Sequence, residues 1–295
     1  MKTHRCLTIV LLLTSTVFAA DQQEPTLSGS AQRTADKMRK EILAEVKRLG
    51  HHDWAGDYYE GDGLGANILL AVAPKSGYVF EWHGCLGLYG RNYGTTAWTN
   101  SRIKLSFTYE NKPGFGGIAP EFIPVSWKSR RYLVPADDII GFCNNVNMGR
   151  EPRMNVHGSY LLRRGDEKRD VAGFPEVPNE YRPYLLAEPV EAKIIAVGPY
   201  TTRPSITTWK FKDTPVTLDA GTSKGLRVGM ELVVTQPQNT VESVRVTKVE
   251  ADRAEGMMTQ AGEEERDPKT GWRLSTRAPW YEAIRKKSTT TRSAE

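Results

Sequence analysis

The spacing of apolar residues divides the chain into one helical segment and many short strands. From residue 38 to residue 49, apolar side chains recur every three or four positions with Lys and Glu between them, and Gly50 follows. This is the period of an amphipathic α-helix, and glycine is common directly after a helix end. We expect one helix here. It either packs against the domain that follows, which is the commoner arrangement, or binds a partner.

After Gly50 the pattern changes to that of β-strands. Short runs rich in β-branched and aromatic residues, separated by Gly, Pro, Asn or Ser, lie at 58–59, 68–72, 78–82, 86–89, 103–109, 122–127 and 158–163. Sequential strands of this kind are typical of an antiparallel barrel or sandwich. One segment, 135–149, instead has proline at its start, acids in its first turn and glycine at its end, which predicts an inserted helix.

A proline-rich connector at 175–189 precedes a second group of strands at 192–197, 216–220, 230–234, 241–249 and 254–258. The predicted fold class is therefore mainly β. An N-terminal helix and an antiparallel β-barrel or sandwich domain with one inserted helix occupy 33–188, and a smaller C-terminal β-barrel module occupies 189–278. The Ser/Thr-rich segment 279–295 is predicted to be a disordered tail.

The N-terminal residues 1–20 place cations first, then an apolar run, then small residues. This order is typical of a secretory signal peptide, so we expect a secreted or periplasmic protein, with 21–32 as a disordered leader. The apolar run is too short for a membrane anchor, and no other run is long enough, so we expect no transmembrane segment after cleavage.

Charge and glycine spacing argue against nucleic acids and nucleotides as partners. The net charge is +5, and loss of Lys2 and Arg5 with the signal peptide would lower it to about +3. The basic clusters at 128–131 and 163–169 lack interleaved aromatics, so a solvated face is the better interpretation. The glycines at 61, 63 and 65 precede a predicted strand rather than a helix, which excludes a phosphate-binding loop. No cofactor is predicted.

Residues 54–94 concentrate aromatic, glycine and acidic residues more than any other part of the chain. Six aromatic residues there are the predicted ligand-binding set, and they either line a pocket or fill a barrel core. They are Trp54, Tyr58, Tyr59, Trp82, Tyr89 and Tyr93.

The cysteines allow two further hypotheses. Cys85 and Cys143 either form a disulfide in an oxidising compartment or remain as two buried thiols. Alternatively His83, Cys85 and Cys143 bind a metal ion, although no pair has the spacing of a known zinc motif.

The acidic residues allow a different alternative. Asp57, Glu60, Asp62 and Glu81 would support glycan hydrolysis if two of them faced each other across a cleft. No GxSxG motif accompanies them, so the enzyme question stays open.

Three resemblances follow from these residues. The pattern Trp54-x-Gly-x-Tyr58, then GDGLG, then Trp82-x-Gly-Cys-Leu-Gly-x-Tyr89 resembles the signature of a family of uncharacterised exported bacterial proteins and spans most of 50–190. Its beginning is also similar to the first strand of lipocalin-like barrels, where an aromatic closes the barrel base. The glycine-rich turn at 221–230 resembles the small β modules of envelope proteins, such as rod-shape proteins of the MreC type and the C-terminal domain of the flagellar assembly protein FlgT. That resemblance implies a structural or assembly role and no catalytic residue.

The function that the sequence favours is therefore an exported, non-enzymatic binding protein or a structural or assembly protein of the cell envelope. Its partner would be an envelope protein or a small ligand. The alternatives are the carboxylate-dependent, glycan-directed hydrolase and the His/Cys metal-binding protein.

Overall fold

The computed structural model describes residues 27–61, 65–111, 116–150, 160–204, 210–237, 242–261 and 267–278. The predicted signal peptide, residues 21–26 of the predicted leader and the predicted tail lie outside these ranges. The described part is mainly β, with an N-terminal helix, one inserted helix, and two closed barrels of which the second is smaller. This confirms the predicted fold class.

Helix α1 spans Gly29–Leu49, followed by Gly50 in a positive-φ conformation. It begins earlier than expected, so residues 29–32 are helical and not part of a leader. Ser28 causes this early start, because its side-chain oxygen accepts a hydrogen bond of 3.2 Å from the backbone N–H of Ala31. Ala31 and Ala35 are buried and extend the apolar stripe by two turns.

Eight strands form the first barrel. They are β1 (Gly56–Glu60), β2 (Asn67–Ala73), β3 (Gly77–Gly84), β4 (Gly87–Thr99), β5 (Arg102–Phe107), β6 (Glu121–Trp127), β7 (Arg130–Pro135) and β8 (Leu161–Arg163), with α2 (Ile139–Asn147) between β7 and β8. Each strand pairs antiparallel with the next one in the chain, and β8 pairs with β1. This last pairing, which includes Tyr58 opposite Arg163, closes the barrel.

Alternation along the strands sends side chains either into the barrel lumen or onto its outer wall. The lumen holds one cluster of buried residues from seven of the eight strands and the segment before β1. Its members are Trp54, Ala55, Tyr58, Leu70, Val72, Tyr78, Phe80, Ile103, Leu105, Phe122, Leu133 and Leu161.

Each helix covers a different part of the outer wall. Helix α1 packs on β2, β3 and β4, where Ala71, Val79 and Tyr93 join its buried alanines. Helix α2 packs on β6, β7 and β8 through a cluster that includes Phe142 and Cys143. Both faces of much of the barrel wall are therefore buried.

The second barrel contains β9 (Glu191–Val197), β11 (Lys210–Leu218), β12 (Glu231–Gln236), β13 (Ser243–Val249), β14 (Ala254–Ala261) and β15 (Arg273–Ser275), and β10 (Thr201–Pro204) is added on β11. The order β11–β14–β13–β12–β15–β9 closes because β11 also pairs with β9. Buried Ile194, Leu218, Met230 and Leu232 belong to its core.

The proline-rich connector is docked between the two barrels. Tyr184 packs against both the α2 cluster and the core of the second barrel. Among the described residues, no helix combines the length and the apolar character needed to cross a membrane.

Candidate functional site: a cavity at one end of the first barrel

A cavity of about 570 Å³ opens at the end of the first barrel where β1 and β3 finish and β2 begins. Its volume lies in the range of small-molecule sites, roughly 300–1,000 Å³. Most of the side chains that line it are apolar. The described lining residues are Ile68, Phe80, Trp82, Asn111, Gly117, Ile118, Ala119, Pro120, Phe122, Pro135, Asp137, Asp138 and Leu161.

The cavity lies at this end because large side chains fill the lumen towards the other. Tyr58 and Tyr78 are fully buried there, and the Tyr58 hydroxyl donates a hydrogen bond of 3.0 Å to the carbonyl oxygen of Trp54. Trp54 itself stacks on Trp98, with 6.0 Å between the ring centroids. The barrel is thus a filled core at the Trp54 end and a ligand-sized space at the Trp82 end.

One wall of the cavity comes from the connection between β5 and β6. The Asn111 side chain shapes this loop, because its Nδ2 donates to the carbonyl oxygen of Ile118 at 2.8 Å and its Oδ1 accepts from the N–H of Ile118 at 3.1 Å. The loop approaches β4 at Gly90, where a Cβ atom would collide with the carbonyl oxygen of Gly116. Glycine at position 90 is therefore needed for the loop to reach this position.

Glu60 is a half-buried residue on the lumen face beside the cavity, and it is not itself one of the lining residues. It lies opposite Ile68 in the register of β1 with β2, and Ile68 lines the cavity. Burial raises the pKa of Glu60 to about 8, and its Oε2 atom is buried without a hydrogen-bond partner among the described residues. Near neutral pH this carboxyl group is mostly protonated.

Two more acids line the cavity at the start of α2. Asp137 is exposed, and Asp138 is half-buried directly before the first residue of the helix. Burial raises the pKa of Asp138; a hydrogen bond with Tyr160 opposes this and the charge of Asp137 adds to it. The described lining residues include no Lys, Arg or His. The cavity therefore combines apolar walls with negative potential.

Of the six predicted ligand-binding aromatics, the structure places only Trp82 in the cavity wall. Tyr58 and Trp54 belong to the filled part of the lumen. Tyr59 lies on the outer wall beneath the Arg164 guanidinium, and Tyr93 lies under α1 with its hydroxyl 3.1 Å from that of Tyr109.

The last of the six, Tyr89, is in the β3–β4 hairpin. Its hydroxyl accepts a hydrogen bond of 3.3 Å from the N–H of Leu86. The six aromatics therefore do not form one surface.

The predicted disulfide is not supported, because Cys85 and Cys143 are both free thiols. Cys85 is exposed in the turn between β3 and β4, whereas Cys143 is buried between α2 and the outer wall, where burial raises its pKa to about 12. In the described part of the chain, no three His, Cys, Asp or Glu side chains are grouped to hold a metal ion. His83, Cys85 and Cys143 are thus not brought together; His83 instead lies 3.5 Å from Glu81.

The acidic residues considered for glycan hydrolysis also lie apart from one another. Asp57 faces outward and forms ion pairs with Arg39 at 2.7 Å and Arg164 at 3.1 Å. Glu81 pairs with Arg91 at 2.9 Å, and Asp62 lies outside the described residues. Only Glu60 faces the lumen, so the described members of this group do not form a facing pair of carboxylates.

Asp137 and Asp138 are the residues that the sequence did not single out. The sequence predicts them in the first turn of a helix that begins at Pro135. This is wrong, because Pro135 ends β7, α2 begins at Ile139 with no acid in its first turn, and the side chain of Asp138 makes no capping hydrogen bond. Their position in the sequence could have identified them. They directly follow the end of β7, where Leu133 and Pro135 face the lumen, so the next residues lie at the barrel end.

Comparison of the chain with protein-family models, with curated proteins and with solved structures gives no match.

Proposed function

We propose that this protein is an exported binding protein that takes a small, mostly apolar molecule into the cavity of the first barrel. The observation that carries this proposal is the cavity itself, a ligand-sized apolar space at one end of a closed barrel whose other end is filled. Export is supported by the signal-peptide pattern of residues 1–20.

The chemistry of the lining supports binding rather than turnover. The described lining residues include no Ser, Cys, His or Lys, and the two aspartates at the start of α2 are neighbours in sequence rather than a pair across a cleft. Phe80, Phe122 and Leu161 are buried and give the cavity a preformed apolar wall. Burial of an apolar ligand there gains roughly 25 cal/mol for each Å² removed from water.

Titration with a neutral aromatic probe, 1-naphthylmethanol, tests this function. We expect saturable binding by the purified mature chain, measured by calorimetry and visible as a change in tryptophan fluorescence that is absent in a Trp82→Phe variant. The substitution Ile68→Phe adds volume to the cavity wall and should weaken binding by at least tenfold. Leu43→Phe, at an exposed position of α1, is the matched control and should bind like the wild type. Lack of saturable binding by the wild type, or undiminished binding by Ile68→Phe, would contradict the proposal.

A second candidate function, assembly with an envelope partner, is favoured by one feature of the second barrel. Ile195 and Val197 on β9 and Tyr200 just after it are exposed apolar side chains close together in sequence. Apolar residues grouped on a surface favour protein contacts. Sedimentation and crosslinking of the wild type and of an Ile195→Ser/Tyr200→Ser variant test this role, and an unchanged pattern of complexes would contradict it.

A further inference from the structure

The carboxyl groups among the cavity's described lining residues are those of Asp137 and Asp138, and these lining residues include no cation. Both lie directly before α2, and Glu60 lies next to the cavity on the lumen face of β1, opposite the lining residue Ile68. A carboxylate ligand would meet only like charge there. A ligand that carries a positive charge would meet acidic groups there, and the Oε2 atom of Glu60 is buried without a hydrogen-bond partner among the described residues.

Among these acids, Glu60 has the surroundings that least favour a charged carboxylate when the cavity is empty. Its cross-strand neighbour Ile68 is apolar, and burial is the cause of its raised pKa. In the backbone register, Arg163 of β8 lies opposite Tyr58. Asp57 and Glu81, by contrast, are each held by an arginine on the outer wall.

We propose that the cavity selects a molecule with a protonated amine on an apolar body, and that Glu60 forms the ion pair with the amine; this inference rests on the proposed binding function. The indole of Trp82 in the same wall supplies a second attraction, because an ammonium group over an aromatic face is attracted to the negative face of the ring. Asp137 and Asp138 attract the cation towards the cavity.

The ion pair requires Glu60 to lose its proton when the ligand binds. In the empty cavity burial keeps the carboxyl group protonated near neutral pH, so the cationic ligand enters, the carboxylate forms, and one proton passes to solvent. Affinity for an amine should therefore rise with pH by up to about tenfold per unit below a pH of about 8 and then level off.

Three probes of the same shape and different charge test the inference with the full mature chain. They are 1-naphthylmethylamine, 1-naphthylmethanol and 1-naphthoate. We expect the wild type to bind the amine at least tenfold more tightly than the alcohol at a pH of about 8, and the naphthoate most weakly.

The Glu60→Gln variant should lose the preference for the amine and still bind the alcohol within about twofold. Glu41→Gln, which changes an exposed carboxylate on α1, is the matched control and should behave as the wild type. Calorimetry of the amine in buffers of different ionisation enthalpy should show release of about one proton near pH 7 by the wild type and none by Glu60→Gln.

The outcomes separate the two proposals. Equal binding of amine and alcohol, with no effect of Glu60→Gln, would overturn the amine selectivity and leave the binding function standing. Failure of all three probes to bind would overturn the binding function itself. A preference for the amine that survives in Glu60→Gln but disappears in Asp137→Asn/Asp138→Asn would overturn the assignment of Glu60.

Discussion

Glu60 is a carboxyl group whose environment weakens the fold at high pH. Its pKa is about 8 in the folded protein and near 4.5 in the unfolded chain. The folded state therefore holds a proton that the unfolded chain has already released. Stability should fall as the pH rises from about 4.5 to about 8, by at most ~1.4 kcal/mol per pH unit from this group.

Urea unfolding of the wild type and Glu60→Gln at several pH values measures this effect. Because glutamine does not titrate, the variant should gain stability relative to the wild type as the pH rises across that interval. A constant difference between the two proteins from about pH 5 to about pH 8 would contradict the buried, uncompensated state of Glu60.

Glu45 is a buried carboxylate that, unlike Glu60, has hydrogen-bond donors for both of its oxygens. Its two oxygens accept hydrogen bonds from the backbone N–H groups of Lys75, at 3.1 Å, and Ser76, at 2.7 Å, and so join α1 to the β2–β3 turn. Burial alone would raise the pKa of Glu45, but hydrogen bonds from Ser76 and Lys75 outweigh it and lower the pKa. This carboxylate contributes stability above pH 4.5, and that stability is lost as the pH falls through its lowered pKa.

Glu45→Ala should therefore lower the free energy of unfolding at neutral pH by about 1–3 kcal/mol, because two backbone donors lose their acceptor. Glu41→Ala, which removes only an exposed pair with Lys37, should cost under ~0.5 kcal/mol. Equal effects of the two substitutions would contradict the role of Glu45 in holding α1.

Residue by residue, the sequence predicted the aromatic composition of this region but not which aromatics share a face. Strand alternation places Tyr58 and Tyr59 on opposite faces of β1. However, α1 and α2 cover parts of the outer wall, so apolar side chains are buried on both faces of the sheet and alternation alone does not identify the lumen face. Tyr93 and Trp82 are thus equally plausible pocket residues from pattern alone. The register of β3 with β2 and β4 distinguishes them, because Trp82 lies opposite Ile68 of the cavity wall and Tyr93 lies opposite Val79 under α1.

At the scale of elements, the cavity depends on how closely the β5–β6 loop approaches β4. A Cβ atom at position 90 would displace Gly116, the neighbour of the lining residue Gly117. We expect Gly90→Ala to destabilise the fold by about 1–3 kcal/mol and to weaken naphthylmethanol binding, because the loop must shift.

Gly29→Ala provides the control for this glycine substitution. Its new methyl group would meet only the Arg33 side chain, at 3.7 Å, in the first turn of α1. Its binding curve should match that of the wild type, and it should lose no stability, because alanine is more favourable than glycine in a helix. Binding by Gly90→Ala at wild-type affinity would contradict the importance of the close loop approach.

The elements themselves were largely predictable, since helical and strand periods follow from the sequence. The predicted start of α1 is wrong, because alanines at 31 and 35 carry a weak apolar signal and Ser28 belongs to a segment of polar composition. The hydrophobic pattern could not distinguish a closed barrel from a sandwich, because closure depends on the pairing of β8 with β1, which joins residues about a hundred positions apart.

For the molecule as a whole, α2 links the cavity to the second barrel. The helix begins directly after Asp138, and two of its asparagines bond to chain segments beyond the first barrel. Asn144 donates to the carbonyl oxygen of Gly229 at 3.0 Å and accepts from the N–H of Glu231 at 3.2 Å. Asn147 makes the same pair of bonds with Tyr184 and Leu186 in the connector, at 2.8 Å and 2.9 Å.

These amides should make the two barrels unfold as one unit. Asn144→Ala leaves the two backbone groups at Gly229 and Glu231 without their partner, at a cost of about 1–3 kcal/mol for each buried group. Asn145→Ala is the matched control, because that amide bonds only to Gly141 and Tyr160 within the first barrel and its helix. Calorimetry should show a single transition for the wild type and for Asn145→Ala, and a broadened or split transition for Asn144→Ala/Asn147→Ala. A single sharp transition in the double variant would show that apolar contacts such as Met148 against Val233 suffice to couple the barrels.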